Sequence, residues 1–274
     1  MVRLFLRLTH NLIEKAIGLR EIDRIYRSAL SLNPATPFAD RALSAIGVTY
    51  TYSENHLAKI PKTGPVVIVA NHPYGGVEGV IMISLLKKCR PDVRIMANYI
   101  LHPIKEMRED FIFVDPFGGA GATRANLRPI KECLNWLNGG GMLVVFPAGE
   151  VSSYDRQANR VRDKEWNPGI AAIIRKTQAD VVPMFFCGRN GSFFNAAGVI
   201  HPRFRTILLV RELINKRGRR LLVRIGSPLK WHQLESVATD DKSLINYLRF
   251  RSYILDERAT RRQRRLFLAH LPPS

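Results

Sequence analysis

Apolar positions along this chain fall into two patterns: short unbroken runs bounded by turns, and longer stretches at helical spacing. The runs Val66–Ala70, Val93–Ala97, Phe111–Val114, Met142–Phe146, Val181–Cys187 and Leu221–Ile225 carry many β-branched residues. Runs of this length and type match strands covered on both faces. A shorter strand is expected at Tyr50–Tyr52. Between the strands, the 3.6-residue period predicts helices over about 77–88, 123–137, 169–178, 206–214 and 242–257. Ahead of the strands lie helices over about 20–32 and 37–46. The first stops at Asn33-Pro34, because proline disfavours helical geometry in the residue before it, and the second stops at Gly47.

Strand alternating with helix predicts an α/β fold: a largely parallel central sheet flanked by helices, with an N-terminal amphipathic helical segment. In that segment, residues 2–19, Arg3, Arg7, His10 and Glu14 share one face while Leu4, Phe5, Leu8, Leu12 and Ile13 crowd the other. Such a helix fits packing on its own domain or lying in the headgroup region of a membrane. The expected organisation is a helical, membrane-associating segment over 1–47, a catalytic α/β domain over 48–257 and a basic tail over 258–274.

Charge changes this picture by naming partners. The net formal charge is +19, and residues 201–274 hold 17 Lys and Arg against 6 Asp and Glu. The densest run, Arg258, Arg261, Arg262, Arg264 and Arg265, leads into Leu266-Phe267-Leu268. Cations beside apolar residues suit an anionic membrane surface. The same charge would attract nucleic acid or an acidic carrier protein, but no nucleic-acid-binding motif accompanies it, so no specific nucleic acid is expected. Three cysteines (Cys89, Cys133, Cys187) form no disulfide framework and no metal-ligand spacing, which points to a reducing compartment. No apolar run approaches the roughly 20 residues that span a bilayer. The expected location is the cytoplasmic face of an inner membrane, held peripherally.

Four loops are expected at the carboxyl ends of strands, where open α/β sheets bind ligands. They are Asn71–Gly79, Asp115–Gly121, Pro147–Ser152 and Gly188–Asn190. The first, Asn-His-Pro-Tyr-Gly-Gly-Val-Glu-Gly, presents His72 straight after a buried strand. Gly75 and Gly76 permit unusual backbone angles, and Glu78 follows near enough to accept the second ring proton. The pair reads as a His–Glu base. Histidine ionises near ambient pH, and the carboxylate fixes the ring tautomer and stabilises the imidazolium. The glycines at 118, 119 and 121 lack dinucleotide-binding spacing, and no His/Cys/Asp/Glu cluster has zinc spacing. Cys133 and Cys187 read as packing residues.

Val66–Ala70 followed by Asn71-His72, then Phe146-Pro147-Ala148-Gly149-Glu150 and Val182-Pro183, resembles the glycerolipid (lysophospholipid) acyltransferase superfamily over about residues 20–257. It is most similar to the hemolysin-type branch, whose members resemble the O-acyltransferases that finish ornithine and related aminoacyl lipids. Two departures stand out. The acid is Glu78, one position later than the superfamily's Asp, and Val77 occupies the usual place. The Glu-Gly order of the second motif is inverted at Gly149-Glu150.

The resemblance implies His72 and Glu78 as catalytic residues. It implies substrate contacts from Asn71, Gly75, Gly76, Phe146, Pro147, Gly149 and Glu150, with Arg124 and Arg189 as anion-binding candidates. It implies no cofactor, with acyl carrier protein or coenzyme A delivering the acyl group as a thioester. The expected reaction is acyl transfer to the hydroxyl of a lysolipid such as a lyso-ornithine or similar lyso-aminolipid. Lysophosphatidic acid acylation is the alternative, and a non-catalytic basic membrane- or nucleic-acid-binding protein is a second.

Overall fold

The computed structural model describes residues 18–115, 120–191, 194 and 202–256, with residues 19, 120–125 and 202–207 as backbone only. The proposed 2–17 portion of the N-terminal helix and the tail 258–274 lie outside the described residues.

Among the described residues, the first elements are the helices α1 (Leu19–Ser31) and α2 (Phe38–Ile46), followed by β1 (Thr49–Thr51) and a short α3 (Glu54–Leu57). Next come β2 (Val66–Ala70), α4 (Gly76–Leu86), β3 (Val93–Asn98) and β4 (Phe111–Val114). They are followed by α5 (Ala120–Asn138), β5 (Met142–Val145), β6 (Ser153–Asp155), β7 (Arg160–Arg162), α6 (Pro168–Thr177) and β8 (Asp180–Cys187). The last elements are α7 (Pro202–Ile214), β9 (Arg220–Ile225), α8 (Trp231–Val237) and α9 (Asp241–Tyr253).

Seven strands form one sheet in the order β1-β9-β8-β2-β5-β3-β4. Every neighbouring pair is parallel except β8–β9, which is antiparallel. The expected α/β fold, with a largely parallel sheet covered by helices, is the observed one. Strand β2 sits at its centre, bonded to β5 on one side and β8 on the other. Its five residues are all 0–1% exposed, as an unbroken apolar run requires in a strand covered on both faces.

The period of two divides β2 between two cores. Val66, Ile68 and Ala70 join the cluster built with Ile25 of α1, Leu43 of α2 and Ile81 of α4. Val67 and Val69 join Cys133 of α5, Ile174 of α6 and Leu248 of α9. Each fully buried aliphatic side chain contributes about 1.5–3 kcal/mol. The sheet is thereby clamped, and the loop that leaves Ala70 starts from a fixed point. Residues 19–46 share the first core with the sheet, and Tyr26 of α1 donates to Glu106 beyond β3.

Several elements escape the periodicity reading. The β6–β7 hairpin pairs three residues on each side and has no apolar run to announce it. Helix α8 is only seven residues long. Strand β5 ends at Val145, one residue before the expected end, so Phe146 leaves the sheet and begins the loop that follows.

Candidate active site

The loop after β2 turns sharply to enter α4. Gly75 makes the turn at φ +94°, and a Cβ there would lie 2.8 Å from Leu209 of α7. Glu78 falls in the first turn of α4, where a carboxylate is favoured by the exposed N–H groups and the helix dipole. One of its oxygens accepts the backbone N–H of Tyr74 at 2.7 Å, and the other accepts that of Gly75 at 3.1 Å. The second oxygen also contacts Nδ1 of His72 directly. Burial pushes the Glu78 carboxyl above its ordinary value, while the His72 contact and these two N–H donors oppose that rise.

His72 retains 19% of its side-chain exposure while Glu78 has none. With Nδ1 directed at Glu78, Nε2 is the ring nitrogen on the side away from that carboxylate. The imidazole stacks on Phe146, ring centroids 4.3 Å apart and planes inclined by 23°. Phe146 in turn packs towards Phe186 of β8. The residues after β2 and those after β5 therefore meet face to face, as adjacent parallel strands would place them.

Asn71 is buried and serves as a clamp. Its side-chain oxygen accepts the N–H of Phe186 at 2.7 Å, and its Nδ2 donates to the Phe186 carbonyl at 3.0 Å. The Asn71 amide thus continues the β2–β8 ladder one residue past the strand. Tyr74 ties down the loop after β8: its hydroxyl donates to the Cys187 carbonyl at 2.6 Å. A Cβ at Gly188, where φ is +119°, would fall 1.9 Å from that hydroxyl. The Asn190 side chain donates to the Tyr74 carbonyl at 3.4 Å.

The remaining candidates spread outward. Gly76 begins α4 with open space beside it. Pro147 is buried, and its carbonyl accepts the N–H of Asn167. Gly149 is exposed on the same loop. Glu150 pairs with Lys164 at 2.7 Å on the rim of a cleft of about 580 Å³, also lined by Ala148, Asp163 and Arg249. Arg189 is exposed on the loop after β8. The Arg124 side chain lies outside the described residues. Cys133 is buried on α5, where burial pushes its thiol up to about 12, and Cys187 ends β8 partly exposed.

Asp163 escaped the sequence reading. It is 1% exposed and accepts the His72 backbone N–H at 3.1 Å, the Ser152 hydroxyl, and Nε1 of Trp166 at 2.9 Å. Burial pushes its carboxyl above the ordinary value against the pull of these donors and of His72. It lies in Arg160-Val161-Arg162-Asp163-Lys164-Glu165, which reads as a solvated charged stretch. The apolar Trp166 just after it was the only local sign of burial. Among the described residues no cluster of His, Cys, Asp or Glu could hold a metal ion.

A histidine in contact with a buried carboxylate and stacked on Phe146 at the carboxyl edge of a parallel sheet is the geometry of the candidate site. An acyltransferase family model matches residues 3–260, and the chain belongs to that family. It is 28% identical over 190 residues to the lyso-glycine lipid O-acyltransferase of Phocaeicola vulgatus, and 29% identical over 192 residues to the protein of that name in Bacteroides thetaiotaomicron. These matches cover 67% of this chain and 66% and 67% of the two relatives. The fold is also that of the 1-acyl-sn-glycerophosphate (LPA) acyltransferase PlsC from Thermotoga maritima. That match has a TM-score of 0.52 at 17% identity and covers 95% of this chain and 98% of the other. The resemblance read from Asn71–Gly79 and Phe146–Glu150 is thus met by the family, and the enzyme is an acyltransferase that uses an acyl donor as co-substrate.

Proposed function

We propose that this acyltransferase moves a fatty acyl group from a thioester, on acyl carrier protein or coenzyme A, to the hydroxyl of a lyso-aminolipid. The observation that carries the reading is the buried contact between Glu78 and Nδ1 of His72 beneath the Phe146 ring. Nε2 of His72 takes the proton of the acceptor hydroxyl as its oxygen attacks the thioester carbonyl. The resulting imidazolium is stabilised by Glu78 and returns that proton to the departing thiolate, so the base is regenerated. No enzyme nucleophile is required. The two relatives named for a lyso-glycine lipid support an acceptor with an amino-acid headgroup.

An anionic membrane surface is the proposed workplace, on the cytoplasmic face of an inner membrane. The charge of +19 supports this. So do Tyr99 and Ile100, 60% and 62% exposed just past the carboxyl end of β3, on the same sheet edge as His72. Among the described residues no helix is long and apolar enough to cross a membrane. Purified enzyme is expected to acylate lyso-glycine or lyso-ornithine lipid from an acyl thioester, and His72→Ala to lower the rate by about 10³-fold. Acylation of lysophosphatidic acid alone would replace the acceptor assignment. Equal rates for His72→Ala and wild type would remove the base assignment. Flotation with phosphatidylglycerol vesicles but not with neutral ones is the expected membrane behaviour, and equal recovery with both would contradict it.

A further inference from the structure

We propose that Asp163 is the positioning residue of acyl transfer, because it ties the His72 peptide and the 147–152 loop to one buried carboxylate. The proposal rests on the reading of His72 as the base. Both backbone polar groups of His72 are taken by residues far along the chain. Its N–H donates to Oδ1 of Asp163 at 3.1 Å, and its carbonyl accepts the N–H of Ser152 at 2.8 Å. Ser152 then donates its hydroxyl to that same Oδ1, closing a small ring of hydrogen bonds around the base.

Asp163 is itself held from several directions. Trp166 donates to Oδ2, the Asp163 N–H donates to the Tyr253 hydroxyl at 2.8 Å, and Arg249 donates to its carbonyl at 2.6 Å. The second and third of these reach α9, whose Leu248 lies in the core behind β2. Asp163 therefore transmits the position of a packed helix to the peptide that carries the imidazole. Glu78 sets the tautomer of the ring, whereas Asp163 sets where that ring stands relative to Phe146 and the acceptor loop.

Three donors converge on this side chain, an arrangement that suits a carboxylate better than an isosteric neutral group. In Asp163→Asn the carboxamide oxygen can keep His72 and Ser152, but its NH2 must then oppose the Trp166 N–H. A displacement of about 1 Å in a reacting group can cost about 10²-fold in rate. The expected result for Asp163→Asn is accordingly a fall in kcat of about 10²-fold, with the acceptor KM within about twofold of wild type. Adding Trp166→Phe removes the opposing donor and is expected to recover about tenfold of the lost kcat.

Should Asp163→Asn fail to fold, Ser152→Ala carries the same test, with kcat lower by about tenfold and KM unchanged. Hydrogen exchange at the His72 amide supplies a readout that needs no substrate, and Asp163→Ala, which removes the acceptor of that N–H, is expected to accelerate it. Kinetics are measured with lyso-glycine lipid and with lysophosphatidic acid. Wild-type activity on the latter alone overturns the acceptor assignment and leaves the Asp163 comparison to be made on that substrate. Wild-type kcat in Asp163→Asn, a loss confined to KM, no recovery with Trp166→Phe, or unchanged His72 exchange each overturns the positioning role.

Discussion

Asn71, Glu78 and Asp163 are 3%, 0% and 1% exposed, and each spends its polar atoms on backbone or side-chain groups of the protein itself. A few residues away, the Glu150 and Lys164 side chains are 38% and 61% exposed and bind each other across an open cleft. One flank of the site is packed within the folded chain, while the other faces solvent. The difference teaches which polar residues set geometry and which can change with the acceptor. A buried carboxylate left without its partners would cost several kcal/mol, so the inner set tolerates little change. An exposed ion pair is worth about 0–1 kcal/mol, so the outer set is nearly free to vary.

The contrast can be broken at four points. Glu78→Gln keeps the size of the side chain but removes the charge proposed to stabilise the imidazolium. It is expected to lower kcat by about 10³-fold in steady-state assays while the protein still folds; a loss under tenfold would place Glu78 outside the chemistry. Gly188→Ala forces a methyl group into the Tyr74 hydroxyl and is expected to cost about 2–3 kcal/mol in urea unfolding, because both backbone strain and overpacking act there. Glu150→Ala and Lys164→Ala are each expected to change stability by less than about 1 kcal/mol and to act on the acceptor KM. A stability loss as large as that of Gly188→Ala would erase the distinction between the two flanks.

The smallest effect concerns pH. Burial raises the Glu78 carboxyl, so the folded protein keeps that proton to higher pH than the unfolded chain does. The resulting stabilisation is complete below the ordinary carboxyl value and is lost as pH rises through the folded one. Wild type is therefore expected to lose stability relative to Glu78→Gln as pH climbs above about 4.5, measured as the gap between urea midpoints. A gap that moves the other way would mean that His72 dominates the titration.

What the sequence made legible follows the same division between near and far. Val66–Ala70 could be read as a central strand because five consecutive apolar residues have only one comfortable environment. His72 and Glu78 could be paired because one turn separates them. Asp163 could not be found this way. Its bond to His72 spans 91 positions, and its charged neighbours suggest a wet surface. The role of Asn71 was hidden for a similar reason, since its partner Phe186 lies 115 residues away. The antiparallel direction of β9 depends on where α7 delivers the chain, a tertiary matter that no local period encodes.

The bonds from Glu78 to Tyr74 and Gly75 span four and three residues and belong to the first turn of α4. Loop-closure entropy favours such short-range contacts over those that join distant segments. During refolding, the His72–Glu78 pair is expected to form with its own helix before the anchors at residues 163 and 186 close. Recovery of enzymatic rate is therefore expected to trail recovery of ellipticity in stopped-flow and interrupted-refolding experiments.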